Sequence, residues 1–229
     1  MNFITRLAMF LSFFVMVQST WAASNNVYVD QIGDGSNINL TQTGQGNNIG
    51  DSSTHTGITG NNNQVTVEQI GNQNTAALTV NGAGNTISST TTGNNNTTSI
   101  QANMTGGTIT DTVNGNTNVV NHTVDGTGVS TVSVNSDNNT VNITNTSTSA
   151  MGAESLVNIS GGGGNTVGIV QDGAAGSNGH VAELSITGAT NNINIQQGGN
   201  VDSTIKATIN GSGNTLSVNS NYSGLGITH

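Results

Sequence analysis

The 229-residue chain contains no cysteine and no proline, and only 6% of it is charged. Without cysteine there is no disulfide and no thiolate metal site, so stability must come from packing and hydrogen bonds. Without proline every residue keeps its backbone donor, which suits uninterrupted β-ladders. Basic residues are as scarce: two Lys and Arg stand against 11 acids, for a formal net charge of −9. Such a chain cannot neutralise a phosphate backbone, which argues against nucleic acid as a partner. Aromatics make up 3% of the residues, and every Phe and the single Trp fall before position 22. Low hydrophobicity with abundant Gly, Asn, Ser and Thr ordinarily accompanies disorder, but disorder brings proline and charge. Charge-poor, asparagine-rich sequence is instead what stacked β-structure tolerates.

The aromatic residues sit in a distinct N-terminal segment. Met1 to Arg6 carries one positive charge, Leu7 to Val17 is an apolar run too short to span a bilayer comfortably, and Thr20-Trp21-Ala22 supplies small residues at a cleavage site. This pattern predicts a secretory signal peptide over residues 1–22 and an exported chain over 23–229, secreted from a bacterium through the Sec route to the extracellular space or cell surface. No second long apolar run follows, so no membrane span is expected.

What the remaining chain does contain is a repeat. A glycine recurs every 11 residues at Gly60, Gly71, Gly82 and Gly93, with an asparagine three places later at Asn63, Asn74, Asn85 and Asn96. Counting the glycine as position zero, positions 5 and 7 are apolar and position 9 is glutamine in several units, giving G-x-x-N-x-φ-x-φ-x-Q-x. The opening follows this frame with Val27, Val29, Gln31 before Gly33, then Ile38, Leu40, Gln42 before Gly44 and Asn47. It returns as Gly162, Asn165, Val167, Ile169, Gln171, as Gly188, Asn191, Ile193, Ile195, Gln197, and as Gly211, Asn214, Leu216, Val218.

Alternation puts positions 5, 7 and 9 on one face of a strand and 4, 6 and 8 on the other. Gly-x-x-Asn is turn chemistry, because both residues enter left-handed conformations cheaply. Each unit is therefore one strand and one turn, and two units make a flattened coil of about 22 residues. A lone hairpin cannot bury its few apolar side chains, whereas stacked coils share a continuous narrow core. The expected fold is an all-β β-solenoid of stacked two-strand coils, with Val27, Val29, Ile38, Leu40, Val65, Val67, Leu78, Ile87, Val167, Ile169, Ile193, Ile195, Leu216 and Val218 facing inward. The recurrent Gln and Asn, including Gln69, are expected to stack into side-chain amide ladders. The frame slips at Asp51 to His55, at Thr146 to Glu154 and between Gly173 and Gly188, where loops should bulge, and it blurs over Met104 to Asn145.

Gln42-Thr-Gly44-Gln-Gly46-Asn47 and Gln69-Ile-Gly71-Asn-Gln-Asn74-Thr-Ala76 resemble the curlin repeat of bacterial curli fibres. The resemblance is strongest over residues 27–50 and 60–85. It implies a subunit that self-associates into an extracellular amyloid-like fibre supporting adhesion and biofilm matrix. It also implies an outer-membrane export channel, and a nucleator or major subunit as a further partner. Later units depart from the pattern, with Val80, Thr91 or Val124 in place of glutamine.

Nothing in the sequence assembles a catalytic site. His55, His122, His180 and His229 are scattered, without an H-x-x-x-H pair, and read as solvent-exposed turn residues. Asp30, Asp34 and Asp51 read as solubilising charges on turns and strand flanks. Neither a Gly/Asp nonapeptide nor a helix-loop calcium site is present, so no cofactor or metal is expected. A second reading is a soluble secreted β-solenoid that binds ice or polysaccharide through a flat strand face, suggested by Thr75, Thr86, Thr97, Thr166 and Thr215 at position 4. A stalk segment of a larger surface assembly is a third.

Overall fold

A computed structural model describes residues 14–17, 24–51, 55–146, 152–173 and 179–222. In chain order the strands begin with β1 (Phe14–Val17), β2 (Asn26–Val27), β3 (Val29–Ile32), β4 (Asn37–Thr43), β5 (Asn48–Ile49), β6 (Thr56–Thr59) and β7 (Gln64–Ile70). The middle comprises β8 (Thr75–Asn81), β9 (Thr86–Thr92), β10 (Thr97–Met104), β11 (Thr108–Asn114), β12 (Val119–Gly126), β13 (Gly128–Asn135) and β14 (Thr140–Asn145). The last are β15 (Ala153–Ser160), β16 (Thr166–Gln171), β17 (Val181–Thr187), β18 (Asn192–Gly199), β19 (Thr204–Asn210) and β20 (Thr215–Tyr222). No helix occurs among the described residues.

The chain alternates between two parallel sheets, so each sheet is built from every second strand. Sheet I runs β1-β4-β7-β9-β11-β13-β15-β17-β19, and sheet II runs β2-β5-β8-β10-β12-β14-β16-β18-β20, with β3 and β6 stacked below β8. The result is a β-solenoid. Its regular coils advance by 22 residues, as Val65 lies beside Ile87 and Ile87 beside Ile109. Other steps run from 21 residues, Ile109 to Ser130, to 27, Ser155 to Ala182.

The extra residues do not disturb the register of the strands around them. In sheet II β5 ends at Ile49 and β6 begins at Thr56, and the long connections from β14 to β15, from β16 to β17 and from β18 to β19 all lead from sheet II to sheet I. Ala153 and Glu154 belong to β15 rather than to the loop expected over Thr146 to Glu154, because Ala153 aligns with Gly128 and Glu154 with Val129. The blurred central stretch keeps full-length strands, since alternation persists there even where the turn glycine is replaced. Of the expected leader, Phe14–Val17 pairs with Asn39–Gln42 of β4, and residues 1–13 and 18–22 lie outside the described residues.

Alternation becomes burial directly: β4 and β7 both read exposed, buried, exposed, buried, intermediate, buried, exposed. Ile38, Leu40, Val65, Val67, Leu78, Ile87, Val167, Ile169, Ile193 and Ile195 are buried. Val27, Val29, Leu216 and Val218, on the end coils, are half-buried. Turns stack as tightly as strands. At Gly71, φ is +117° and an added Cβ would stand 1.9 Å from the carbonyl oxygen of Gly93 one coil on, so only glycine fits.

Candidate self-assembly surface

The turn that leads from sheet I to sheet II carries an unbroken column of asparagines. Asn25, Asn47, Asn74, Asn96, Asn118, Asn139, Asn165, Asn191 and Asn214 follow one another, one per coil. At each interior step one asparagine donates its backbone N–H and its Nδ2 to Oδ1 of the asparagine before it. Asn96 donates its backbone N–H and its Nδ2 to Oδ1 of Asn74, at 3.0 and 3.1 Å, while Nδ2 also donates to the Gly115 carbonyl at 2.7 Å. Asn47 through Asn191 are buried. Buried amides are tolerable because donors and acceptor are matched coil by coil.

The opposite turn is different. Its column runs from Ser36 to Asn63, Asn85 and the Gly107 amide. The three long connections of the C-terminal half emerge on this side. Glycine recurs in both turns with left-handed φ: Gly33, Gly44, Gly60, Gly71, Gly82, Gly93, Gly188 and Gly211 lie between +112° and +133°. Gly162 does not, because the turn shifts to place Gly161 and Gly164 in the left-handed region.

Glutamines divide between the sheets. In sheet I, Gln42 donates to Oε1 of Gln69 at 2.9 Å, and in sheet II Gln171 donates to Oε1 of Gln197 at 2.9 Å. Gln31 joins neither pair: it lies beside Ile58 and donates to the Gly33 carbonyl within its own turn. Units 11 residues apart sit on opposite sheets, so columns repeat with the coil and not with the unit.

The same division rearranges the outer faces. Thr75, Thr97, Thr166 and Thr215 share sheet II, and Thr86 lies on sheet I. Sheet I has its own hydroxyl array, with Thr86, Ser88 and Thr90 beside Thr108, Thr110 and Thr112.

Among the described residues the last coil is open. Among the described residues β19 pairs only with β17 and β20 only with β18, which leaves one backbone edge of each unpaired. Ile205, Ala207, Ile209 and Leu216 are partly buried against the core below, whereas Ala182, Leu184 and Ile186 one coil back are buried. This end presents half a core, two ladder edges and Asn214. Asn25 at the other end of the column accepts the Asn47 amide through its Oδ1.

Two of the histidines, His122 and His180, depart from their expected place in exposed turns, whereas His55 keeps it. His55 is surface-exposed, 2.8 Å from Asp30 and stacked on Tyr28. His122 is buried in β12, with Nε2 2.6 Å from Asp111 and Nδ1 2.8 Å from Ser130 Oγ. His180 is buried between the Ser203 hydroxyl and the Asp172 carbonyl. His229 lies outside the described residues. The reason is positional: His122 falls seven places after Gly115, an inward position, and faces Asp111, which is inward on sheet I. The sequence carried this signal in the spacing of 11 between them. Ser130, His122 and Asp111 have the connectivity of a hydrolytic relay, but all three are enclosed in the solenoid where no substrate reaches them. Among the described residues no group of three His, Asp or Glu side chains is placed to hold a metal ion.

No curated protein and no solved structure matches the chain. Residues 60–88, one coil centred on β7 and β8, match a family model, and by that match the chain carries a curlin-associated repeat.

Proposed function

We propose that the protein is a structural subunit that associates end to end into an extracellular curli-type fibre, contributing to adhesion and biofilm matrix. One observation carries this reading. The C-terminal end presents unpaired strand edges, half-buried Ile205, Ile209 and Leu216 and the last amide of a column whose first member, Asn25, stands at the N-terminal end. Stacking a second copy restores the partners of every one of these groups, as adding a strand does in cross-β assemblies. Residues 1–22 serve as the export signal, and an outer-membrane channel and a companion major or nucleating subunit are the partners in delivery and initiation. The amide columns and aliphatic core provide rigidity, and no step of catalysis is assigned.

The test is assembly of residues 23–229 diluted from denaturant, followed by thioflavin fluorescence, electron microscopy and fibre diffraction. Seeded growth with a reflection at ~4.8 Å along the fibre is expected. A monodisperse β-rich monomer that never seeds would favour the second reading, a secreted solenoid that binds ice or polysaccharide. The hydroxyl array of Thr86, Ser88, Thr90, Thr108, Thr110 and Thr112 is the observation behind that alternative.

A further inference from the structure

The rungs of the two sheets have to match wherever one copy stacks on another. Sheet I has nine strands and sheet II eleven. In sheet II, β2 and β3 share one rung and β5 and β6 the next, since β2 pairs with β5, β3 with β6, and both β5 and β6 with β8. Each sheet therefore has nine rungs. They are equal only because β1 is included. That strand belongs to the proposed export signal and lies parallel to β4 in sheet I, Phe14 beside Asn39 and Val17 beside Gln42.

Cleavage after Ala22 removes β1. Sheet I then keeps eight rungs, β4 to β19, while sheet II keeps nine, from β2 with β3 to β20. In the regular winding a sheet I strand always lies between two successive rungs of sheet II, as β9 lies between β8 and β10. Between β20 of one cleaved copy and β2 of the next there is none. When those two rungs pair, sheet I is left with a gap one strand wide, so that β19 and the next β4 stand about 10 Å apart instead of about 5 Å. Both edges of the gap carry backbone groups that need partners, and enclosing them without any is costly.

We propose that residues 223–229, outside the described residues, fill this gap as the missing strand of sheet I. The inference rests on the end-to-end fibre reading and specifies its joint. The segment directly follows β20, where alternation calls for a strand of sheet I. Its apolar Leu225 and Ile227 alternate with Gly224, Gly226 and Thr228. The frame agrees as well: one regular coil of 22 residues, the step from Val65 to Ile87, leads from the half-buried Ile205 to Ile227 and from the outward Lys206 to Thr228. The place itself accepts a parallel strand, because β1 occupies that edge of β4 before cleavage. A short strand with glycine inside it is weak alone and gains from a neighbour on each side, which the joint supplies as β19 and the β4 of the next copy.

The natural chain has no cysteine, so cysteine pairs report the joint in oxidised fibres of residues 23–229. The outward column that starts at Asn39 ends at Lys206, with Thr228 as its continuation, and the sheet II column that starts at Asn26 ends at Thr215. The members of each pair stand at opposite ends of one chain, so a disulfide between them joins two copies. Asn26→Cys with Thr215→Cys, on adjacent rungs about 5 Å apart, is expected to give a covalent ladder of oligomers. Asn39→Cys with Thr228→Cys is expected to do the same. Asn39→Cys with Lys206→Cys, two rungs apart and beyond disulfide reach, is expected to give none. Ile227→Asp, which puts a charge at an inward place, should slow seeded elongation more than about tenfold, while the outward Thr228→Asp should elongate normally. A 39–206 ladder, a missing 39–228 ladder beside an intact 26–215 ladder, or equal elongation by the two aspartate variants would overturn the proposal and leave end-to-end stacking standing. Loss of the 26–215 ladder would overturn both.

Discussion

Asn118 donates both its backbone N–H and its Nδ2 to a single oxygen, Oδ1 of Asn96, at 2.9 and 3.2 Å. Asn96 in turn donates to Oδ1 of Asn74 and to the Gly115 carbonyl. One side chain thus satisfies two backbone groups of the next coil and also bonds the Asn74 side chain of the coil before. Truncating Asn96 to alanine orphans the Asn118 amide and the Gly115 carbonyl inside the turn. Each orphan costs about 1–3 kcal/mol, so Asn96→Ala should destabilise by about 2–5 kcal/mol. Asn103→Ala, which removes two exposed bonds, one donated to Asp125 and one accepted from Asn81, should stay within about 0.5 kcal/mol. Denaturant midpoints of the two variants check the contrast, and equal midpoints would mean that the column is ornamental.

Two turn glycines, Gly71 and Gly84, should respond very differently. Gly71 has φ of +117° and its added Cβ would collide with the Gly93 backbone, whereas Gly84 has φ of +69° and open space around that position. Gly84→Ala should cost only the left-handed penalty of about 1–2 kcal/mol. Gly71→Ala must also push two stacked coils apart, so loss of the folded state at 25 °C, read by far-ultraviolet circular dichroism, is the expected outcome.

Thr117 occupies φ of +57°, the place where the coils on either side use Asn95 and Asn138. A β-branched residue is strained there, while asparagine enters that region readily. Thr117→Asn should therefore raise stability by about 1 kcal/mol, provided the new amide replaces the Thr117 hydroxyl bond to Asn138 Oδ1. A thermal midpoint unchanged or lowered would show that this bond outweighs the strain.

These turns also show what the sequence made legible. The 11-residue period and alternation of apolar side chains sufficed for a β-solenoid, because each unit repeats one strand and one turn and because Gly71 and Asn74 admit few substitutes. Assignment to columns was harder. Gln31 and Gln42 look equivalent in the unit, yet they lie on opposite sheets, and Gln31 has Ile58 as its neighbour. His122 was hidden for a related reason. In the unit before it Met104 stands where the period places a glycine, so the frame that puts Asp111 and His122 at facing inward positions was obscured. Polarity suggested a turn, whereas a partner across the core made burial affordable.

The open end supplies the most direct test of assembly. Ile205 and Leu216 are only half-buried in one chain, so lysine at either position can keep its charge in water at modest cost. In a stacked pair the same charge would be enclosed without a partner, at a cost of several kcal/mol. Ile205→Lys and Leu216→Lys should therefore leave the circular dichroism of the isolated chain unchanged while slowing seeded elongation more than about tenfold. Thr208→Lys, at an exposed outward position on the same strand, is the control and should elongate normally. Such a subunit still has an intact N-terminal end, so it should add to a growing fibre and then stop it, inhibiting the parent chain at substoichiometric ratios. Normal elongation by both end variants would place the joint elsewhere, on a face of the solenoid and not at its end.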